Sequence, residues 1–375
     1  MATTAEYRLG EFTYPRGWFM IGLSSDATQT PAAVRFFGED LVLYRGASGK
    51  PHLVGAYCPH MGTHLAKNTT SYVVKDGEHV QGDSIRCPYH GWRFGPDGQC
   101  DDIPYSPKAP PKRACISTKK LVERAGCLWF WYDEEGGEPD YELPEFEGYG
   151  EPSWVNWNIR CLGELDSHPQ EIIDNICDKG HLEPVHGSMN MELFENEFDD
   201  HIARQILSAG HKTLAAGGGE PMTNDTWYTG PGILQSKMVG EYPSLMLITH
   251  TPIEDGKVMV WYGLSVKVQN DEPTEDDRAL ASGYEEAGVD AFAQDFEIWS
   301  NKRPCLGPMM VQGDGPLRQG SHLVQAILQS PGTCRGISEA REWTYRRQGD
   351  QLSSLGRGRL VQYAEAQNLR KAMTL

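Results

Sequence analysis

The sequence has no apolar run long enough to span a membrane, because its longest apolar stretches have the length of a β-strand. It is also poor in basic charge: 34 Lys and Arg residues stand against 52 Asp and Glu residues, which gives a formal net charge of −18. An acidic surface repels phosphates, so the charge excludes nucleic acid as a partner. Residues 1–8 lack the basic-then-apolar order of a signal peptide. We therefore expect a cytoplasmic protein without a membrane span.

Cysteine is also too sparse for a secreted disulfide framework, since only nine occur in 375 residues. Two of them, Cys58 and Cys87, each precede a histidine by two or three residues. The other seven are expected to be reduced and partly buried. These are Cys100, Cys115, Cys127, Cys161, Cys177, Cys305 and Cys334.

The acidic net charge of the chain has two interpretations, solubility or the steering of a redox partner toward a metal centre.

The sequence does contain a split motif, Cys58-Pro59-His60 and Cys87-Pro88-Tyr89-His90. Two thiolates on one iron and two imidazoles on the other are the ligands of a Rieske [2Fe–2S] cluster. Each half runs into a glycine, which predicts tight loops whose backbone amides approach the cluster sulfurs. Zinc is the alternative, but zinc modules usually pair Cys with Cys and His with His. The motif therefore predicts a centre that carries electrons one at a time.

The pattern of apolar residues changes along the chain. Residues 33–132 alternate short strand-like runs with Gly and Pro, which predicts a small all-β domain around the motif. Between the two halves of the motif, residues 68–78 combine a β-rich run with an Asp-Gly turn signal, which predicts an inserted hairpin. Beyond an acidic run at 133–151, helix-like periodicity covers about 169–180 and 275–302.

Strand-like runs at 245–249 and 258–266 complete the second region. The predicted fold class is α+β: an N-terminal all-β Rieske [2Fe–2S] domain, then a helix-covered antiparallel sheet of helix-grip-like architecture. We expect the first domain and its N-terminal segment at 1–150, the second at 151–312 and an atypical tail at 313–375. The tail carries nine basic and five acidic side chains, a balance opposite to that of the whole chain.

A second metal site is suggested by His181 and His186. A five-residue step on an α-helix rotates by about 140°, which would aim the two rings to different sides. Pro184 removes a backbone donor, so the helix should end or kink between the histidines and let both reach one metal. Two histidines and one carboxylate, with open positions, are the ligands of non-haem Fe(II) enzymes that bind dioxygen. The alternative is that either histidine is an ordinary surface or core residue.

The carboxylate of such a site must come from another segment, and the candidates are Asp290, Asp295 and Glu297. Asp178 lies three residues before His181, so the two should share a helix face. Its simplest role is to fix the tautomer of a ligand histidine.

Together, these segments resemble the Rieske non-haem iron ring-hydroxylating oxygenases. The resemblance rests on the split motif with Gly91-Trp92 and on Asn175-x-x-Asp178-x-x-His181-x4-His186. The order of segments, including Asp295-Phe296-Glu297-Ile298-Trp299-x-x-Lys302, is most similar to the oxygenase component of 3-ketosteroid 9α-hydroxylases. It implies that Asp295 is the third iron ligand.

The same resemblance implies catalytic roles for Asn175 and Asp178. Asp178 would link an iron-bound histidine to a cluster histidine of the neighbouring subunit, His90 or, as the second choice, His60, in a homotrimer. Electrons from NADH would pass through a separate reductase with flavin and an iron–sulfur centre, then through the cluster to mononuclear Fe(II). Dioxygen would then be used to hydroxylate a steroid or related polycyclic compound, in steroid metabolism and lipid degradation.

The pocket for such a substrate should be apolar. The candidates for its lining are Leu193, Phe194, Met238, Leu245, Met246 and Trp261, and the alternative for each is an ordinary core position. Two alternatives stay open at the level of sequence. One is a Rieske oxygenase that demethylates a small aromatic ether, and the other is a Rieske electron carrier without catalysis.

Overall fold

The computed structural model describes residues 2–9, 12–212, 214, 221–240, 242–269, 272–317, 342–346 and 353–355. Within these ranges the strands are β1 Gly17–Leu23, β2 Ala32–Phe36, β3 Glu39–Arg45, β4 Pro51–Gly55, β5 Val80–Gln81, β6 Ser84–Arg86, β7 Arg93–Phe94, β8 Cys100–Asp102, β9 Leu121–Arg124, β10 Cys127–Tyr132, β11 Trp154–Leu165, β12 Met189–Asp199, β13 Ile202–Gly210, β14 Met222–Thr229, β15 Ile233–Val239, β16 Ser244–Glu254, β17 Lys257–Lys267, β18 Glu342–Arg346 and β19 Ser353–Leu355. The α-helices are α1 Thr4–Tyr7, α2 Tyr72–Lys75, α3 Pro169–Asp174, α4 Leu182–His186 and α5 Glu275–Asn301, and 3-10 turns lie at Ser24–Asp26 and Asn175–Cys177.

The unit Phe19–Tyr132 is built of β-strands, as the sequence predicts, with one short helix and one 3-10 turn besides. Its strands form three small antiparallel sheets, in the orders β1-β10-β9, β2-β3-β4 and β5-β6-β7-β8. The turn between β9 and β10 has positive φ at both Ala125 and Gly126, which is the backbone of a type I′ hairpin turn. The aromatic strand β10 is almost wholly buried and supplies much of the core of the unit.

The predicted hairpin at residues 68–78 is wrong, because this segment contains the short helix α2. The side chain of Asn68 accepts hydrogen bonds from the amides of Thr70 and Ser71, at 3.1 and 2.9 Å. Ser71 then caps the helix by accepting from the amide of Val73 at 3.2 Å. These local bonds favour a helical turn and override the strand preference of the two valines.

The second unit consists of Met1–Trp18 and the chain from Asp133 onward. Its antiparallel sheet has nine strands in the order β11-β17-β16-β15-β14-β13-β12-β18-β19. Helix α5 packs on β11 and β17, and apolar residues between the sheet and the helix form a core that includes Ile248, Tyr262, Ala281 and Tyr284. This helix-covered sheet confirms the predicted fold class.

The long helix α5 agrees with its predicted range of 275–302. It starts at a capping box, in which Thr274 accepts from the amide of Asp277 at 3.2 Å and the Asp277 carboxylate accepts from the amide of Thr274 at 2.8 Å. Its 27 residues give it a length of about 40 Å. The helix is therefore long enough to run beside the sheet and still carry Asp295 near its C-terminus.

The helix predicted over 169–180 is shorter than expected. α3 ends at Asp174 and a 3-10 turn ends at Cys177, after which Asp178 is extended with φ −89° and ψ 97°. The Asp178 carboxylate accepts hydrogen bonds from the amides of Gly180 and His181 at 2.9 and 3.3 Å. This local turn competes with the helix and ends it. Asp178 and His181 therefore do not share a helix face, contrary to the prediction.

The two compact units divide the chain after residues 18 and 132. The N-terminal segment 1–18 lies in the second unit, whereas the sequence places it with the Rieske domain. The predicted limits at 150 and 312 stay predictions. Among the described residues, no helix combines the length and the apolar content needed to cross a membrane.

Candidate metal centres and cavity

Cys58 and Cys87 open two loops with the same hydrogen-bond pattern. In the first loop, Cys58 N–H donates to the carbonyl of Thr63 at 2.9 Å and Gly62 N–H donates to the carbonyl of Cys58 at 2.9 Å. In the second loop, Cys87 N–H donates to Trp92 at 2.7 Å and Gly91 N–H donates to Cys87 at 3.0 Å. Both glycines have φ near +70°, which disfavours residues with a Cβ. The glycine that follows each half of the motif is thus required by the turn.

The two thiols lie side by side, buried and outside any disulfide. A hydrogen bond to Cys87, together with burial, raises the pKa of the Cys58 thiol. The hydrogen bond from Cys58 lowers the pKa of the Cys87 thiol to about 6, with help from the backbone N–H groups of Tyr89 and His90. Amides aimed at the sulfurs are the environment that a bound iron–sulfur cluster requires.

The imidazoles of His60 and His90 face each other, with ring centroids 4.6 Å apart. His60 stacks on Trp92 at 4.5 Å, and Nε1 of Trp92 donates to Oη of Tyr105 at 2.8 Å. Nδ1 of His60 is buried and has no hydrogen-bond partner among the described residues. An unpartnered ring nitrogen beside two adjacent thiols fits the ligand set of a Rieske cluster.

The second predicted ligand set also comes together in the fold. The ligand atoms of His181, His186 and Asp295 all lie within 4.8 Å of one another, and Nε2 of His186 is 3.3 Å from Oδ2 of Asp295. The alternative carboxylates, Asp290 and Glu297, are exposed on α5. A cluster of two imidazoles and one carboxylate fits a mononuclear iron.

The predicted helix break between the two histidines is wrong. His181 is the N-cap of α4 and His186 is its last residue, so the chain turns before His181. Pro184 is the third residue of α4, where its missing N–H costs nothing because the first N–H groups of a helix have no partner within it. The rings nevertheless meet, with centroids 5.1 Å apart and planes at 80°.

Three polar side chains contact the ligand histidines. Oε1 of Gln294 lies 2.9 Å from Nδ1 of His186, so it accepts the ring N–H and leaves Nε2 for a metal. The Asp178 carboxylate is 3.7 Å from Nδ1 of His181, and Nδ2 of Asn175 is 3.1 Å from Nε2 of the same ring. Burial opposes the charge on Asp178, but the side chain and amide of His181 outweigh it and lower its pKa. The sequence did not point to Gln294 as a partner of a ligand histidine. The signal that could have indicated it is its position next to Asp295.

A mostly apolar cavity of about 150 Å³ adjoins His186 and Asp295. Met238 and Met246 line it, as predicted, together with α5 residues such as Gly288 and Phe292. Leu193, Phe194, Leu245 and Trp261 do not line this cavity, and Phe194, Leu245 and Trp261 are buried core residues, which is the alternative that the sequence left open. Successive side chains of a strand point to opposite faces, so Met246 and Tyr262 face the cavity while their neighbours Leu245 and Trp261 face away.

Comparison with known proteins gives consistent results for both units. Residues 17–119 match the Rieske [2Fe-2S] domain, and residues 130–321 match the 3-Ketosteroid 9alpha-hydroxylase C-terminal domain. The second match ends at residue 321, inside the segment 313–375 that the sequence predicts as an atypical tail.

A 3-ketosteroid-9-alpha-monooxygenase oxygenase component of Rhodococcus rhodochrous is 34% identical over 85% of this chain and 84% of its own length. Cholesterol 7-desaturase nvd of Xenopus laevis is 29% identical over 82% of this chain and 70% of its own length. Among solved structures, dicamba monooxygenase bound to 3,6 dichlorosalicylic acid has a TM-score of 0.62 at 20% identity, over 85% of this chain and 98% of that chain. The last likeness concerns the fold alone.

A Rieske domain joined to a helix-covered sheet with a group of two histidines and one carboxylate defines a Rieske non-haem iron oxygenase. Such a protein receives its electrons from a separate reductase. Because this chain is 34% identical to such a protein over 85% of its length, it belongs to the family of 3-ketosteroid 9α-monooxygenase oxygenase components. It is therefore an enzyme, and the alternative of a Rieske electron carrier is excluded.

Proposed function

We propose that this chain hydroxylates a steroid that resembles a 3-ketosteroid, or a related polycyclic compound. Dioxygen is the co-substrate. Electrons come from NADH through a partner reductase that contains flavin and an iron–sulfur centre. One observation carries the proposal: 34% identity over 85% of the chain to an oxygenase component named for 3-ketosteroids. The apolar cavity beside the His181, His186 and Asp295 cluster supports it, because a polycyclic substrate needs such a wall.

Two sets of residues would hold the two metal centres, and three further side chains contact the second set. Cys58, His60, Cys87 and His90 would hold the cluster. His181, His186 and Asp295 would hold a mononuclear Fe(II), which when bound supplies dioxygen activation with electrons from the cluster. Gln294 keeps the His186 ring N–H on Nδ1, and the Asp178 carboxylate lies closest to Nδ1 of His181. Asn175 lines the cavity, and its amide Nδ2 lies 3.1 Å from Nε2 of His181.

The cavity is small for a polycyclic substrate. Its volume of about 150 Å³ is below the range of about 300 to 1,000 Å³ that is usual for small-molecule sites. Met238 and Met246 lie in the wall, and unbranched methionine side chains adapt readily to a ligand. We infer that these side chains shift when a substrate of several fused rings enters.

We further propose a homotrimer in which Asp178 of one subunit meets His90, or less favourably His60, of the next. Two features support this arrangement. Asp178 keeps a partly exposed carboxylate next to His181. His90 lies beside Tyr89, and Met61 follows His60, whose ring contacts that of His90; the side chains of Tyr89 and Met61 are 61% and 63% exposed, and exposed apolar side chains at such a place favour a protein interface. Oxygenase activity would then depend on the assembled oligomer.

Turnover with a surrogate reductase tests the substrate class. We expect 4-androstene-3,17-dione to gain one oxygen atom, measured by mass spectrometry of the product, while a methoxybenzoate is left unchanged. The reverse result would replace the proposal with O-demethylation of a small aromatic.

The similarity to cholesterol 7-desaturase nvd favours a second candidate, desaturation of a sterol. The two reactions differ in the mass of the product, because hydroxylation adds an oxygen atom and desaturation removes two hydrogens. Loss of two hydrogens from a sterol, without oxygen incorporation from labelled dioxygen, would favour this second candidate.

We also propose that the protein works in the cytoplasm. None of the eight described cysteines forms a disulfide, and two of them are needed as thiolate ligands. Free thiols in this number are typical of a reducing compartment. Fractionation of the native host, with detection of the chain in the cytosolic fraction, tests this location.

A further inference from the structure

Residues 311–317 pack against the turn that carries Asp178. They lie beyond α5, mostly in the stretch that the sequence predicts as an atypical tail. Gly315 is buried, and Leu317 packs on the apolar core that contains Cys177. The start of this stretch is therefore an integral part of the second unit.

The segment forms a closed turn and is tied by its backbone to the metal-ligand region. Val311 N–H donates to Oδ2 of Asp314 at 2.7 Å, and Asp314 N–H donates to the carbonyl of Val311 at 3.4 Å. A short aspartate side chain that binds a nearby amide in this way stabilises a turn. The carbonyl of Asp314 then accepts from the N–H of Lys179 at 3.0 Å. This backbone hydrogen bond holds the residue that follows Asp178.

Gly315 fits closely against the peptide group on the other side of Asp178. Its φ is +90°, and a Cβ built on it would lie 2.3 Å from the carbonyl oxygen of Cys177 and 3.1 Å from the nitrogen of Lys179. The first distance is shorter than a Cβ contact can be, so a larger residue would displace the turn. Residues 314 and 315 thus touch both peptide groups that flank Asp178.

The position of Asp178 matters because its contact with His181 is at the limit of hydrogen-bond length. Oδ2 of Asp178 lies 3.7 Å from Nδ1 of His181. This Nδ1 atom is buried and has no hydrogen-bond partner among the described residues. A histidine that gives Nε2 to a metal carries its proton on Nδ1, and that proton needs an acceptor. A displacement of about 1 Å at Asp178 therefore decides whether the ring has one.

We propose that Asp314 and Gly315 are positioning residues for Asp178. They hold the peptide groups on both sides of it, so that its carboxylate stays beside Nδ1 of His181 and fixes that ring for metal binding. The inference rests on the proposed function, in which His181 is an iron ligand. It adds to that site two residues from a segment beyond α5, which act through Asp178 and not by contact with the metal.

Two glycines of this segment provide a matched pair of substitutions. Gly313→Ala and Gly315→Ala both place a Cβ at positive φ, +109° and +90°, so both should lower the urea midpoint of unfolding by a similar amount. A Cβ on Gly313 would have no atom of the described chain within 4 Å, whereas on Gly315 it displaces the turn. Competition with a chelator then measures the affinity of the cofactor-loaded full chain for its mononuclear iron, without substrate or reductase. We expect Gly315→Ala to bind this iron about tenfold more weakly, and Gly313→Ala to bind it as the unsubstituted chain does.

A double substitution tests whether Gly315 acts through Asp178. Asp178→Asn keeps the oxygen that accepts from the amides of Gly180 and His181, but it replaces Oδ2 with an NH₂ group that cannot accept from Nδ1. Alone, it should weaken iron affinity about tenfold. Adding Gly315→Ala should weaken it little further, because both changes remove the same contact. A general loss of packing would instead multiply the two effects.

Asp314 gives a second test that does not depend on the glycine. Asp314→Ala removes the acceptor of the Val311 N–H and should weaken iron affinity about fivefold, the equivalent of one hydrogen bond. Asp314→Asn keeps an acceptor oxygen and should restore most of the affinity. Circular dichroism and the paramagnetic resonance signal of the cluster show that each variant is folded. Equal iron affinities of the Ala and Asn variants would count against a role for this side chain.

The positioning role and the proposed function fail in different ways. If Gly315→Ala binds the mononuclear iron as tightly as Gly313→Ala, or if its effect is undiminished beside Asp178→Asn, the positioning role is refuted and the proposed function stands. If the unsubstituted chain holds only the two irons of the cluster, the proposed mononuclear centre fails and the positioning role fails with it.

Discussion

Lys302 and Glu171 form an ion pair that joins the two chain segments carrying the proposed ligands of the mononuclear metal. Glu171 lies in α3, just before the segment with His181 and His186, and Lys302 is the first residue after α5, which carries Asp295. The Glu171 carboxylate is 6% exposed and also accepts a hydrogen bond from Oη of Tyr7 in the N-terminal segment. A buried carboxylate is thus held between three parts of the chain that are distant in sequence.

Substituting Lys302→Met removes the counter-charge from this carboxylate. We expect the free energy of unfolding to fall by about 2 kcal/mol, less than for a fully buried pair because Lys302 is partly exposed. The mononuclear site should also lose iron faster, because its two ligand segments are no longer fixed to each other. Urea denaturation and iron release to a chelator measure the two effects.

Lys257→Met provides the control for that substitution, because Lys257 pairs with Glu164 and Asp166 at the exposed surface of the same unit. Surface ion pairs contribute little, so its unfolding and iron release should stay unchanged. Equal losses in the two variants would show that the Glu171 pair has no special role in positioning the ligands.

The identity of the third ligand is tested by Asp295→Ala. Removing the buried carboxylate should release the mononuclear iron while the Rieske cluster remains, so the chain loses one iron atom and keeps its cluster signal in electron paramagnetic resonance. Asp290→Ala and Glu297→Ala remove the exposed alternatives on the same helix and should retain all iron. Iron loss in either of these variants instead would reassign the ligand.

Gln294 should control metal affinity through the tautomer of His186. In Gln294→Leu, Nδ1 of His186 loses its acceptor at 2.9 Å, and we expect iron affinity to fall by about 10- to 100-fold. Gln294→Glu restores an acceptor and should recover most of the affinity, which a general packing defect would not allow. Competition with a chelator gives the dissociation constants, and similar values for the Leu and Glu variants would argue against this role.

The inter-subunit route through Asp178 can be tested by mixing inactive chains. Asp178→Asn interrupts the proposed bridge, and Cys87→Ser removes the cluster, so each variant alone should be inactive. In mixed oligomers, the intact cluster of the first variant lies next to the intact iron site of the second, and we expect part of the activity to return. A route within one chain predicts no recovery, because no chain in the mixture has both parts.

The sequence by itself determined those features that depend on short stretches of chain. The two Cys-Pro loops each need a glycine with positive φ a few residues on, so spacing and residue type are enough to predict which residues would hold the cluster. Helix α5 was predictable because apolar periodicity and the Thr274 capping box act locally. Alternating strands likewise indicated the sheet. The helix α2 and the break at Asp178 were missed because side chains there bind nearby amides and override the pattern of apolar residues.

The tertiary structure alone decided which distant residues meet. Residue type and position left Asp290, Asp295 and Glu297 open, with only the resemblance in favour of Asp295, whereas the packing of α5 brings Asp295 against His186. Glu171 and Lys302 are far apart in sequence and form an ion pair. Met246 and Tyr262 line the cavity, whereas their sequence neighbours Leu245 and Trp261 do not. Such choices depend on how helix and sheet pack over the whole unit, which no short segment of sequence contains.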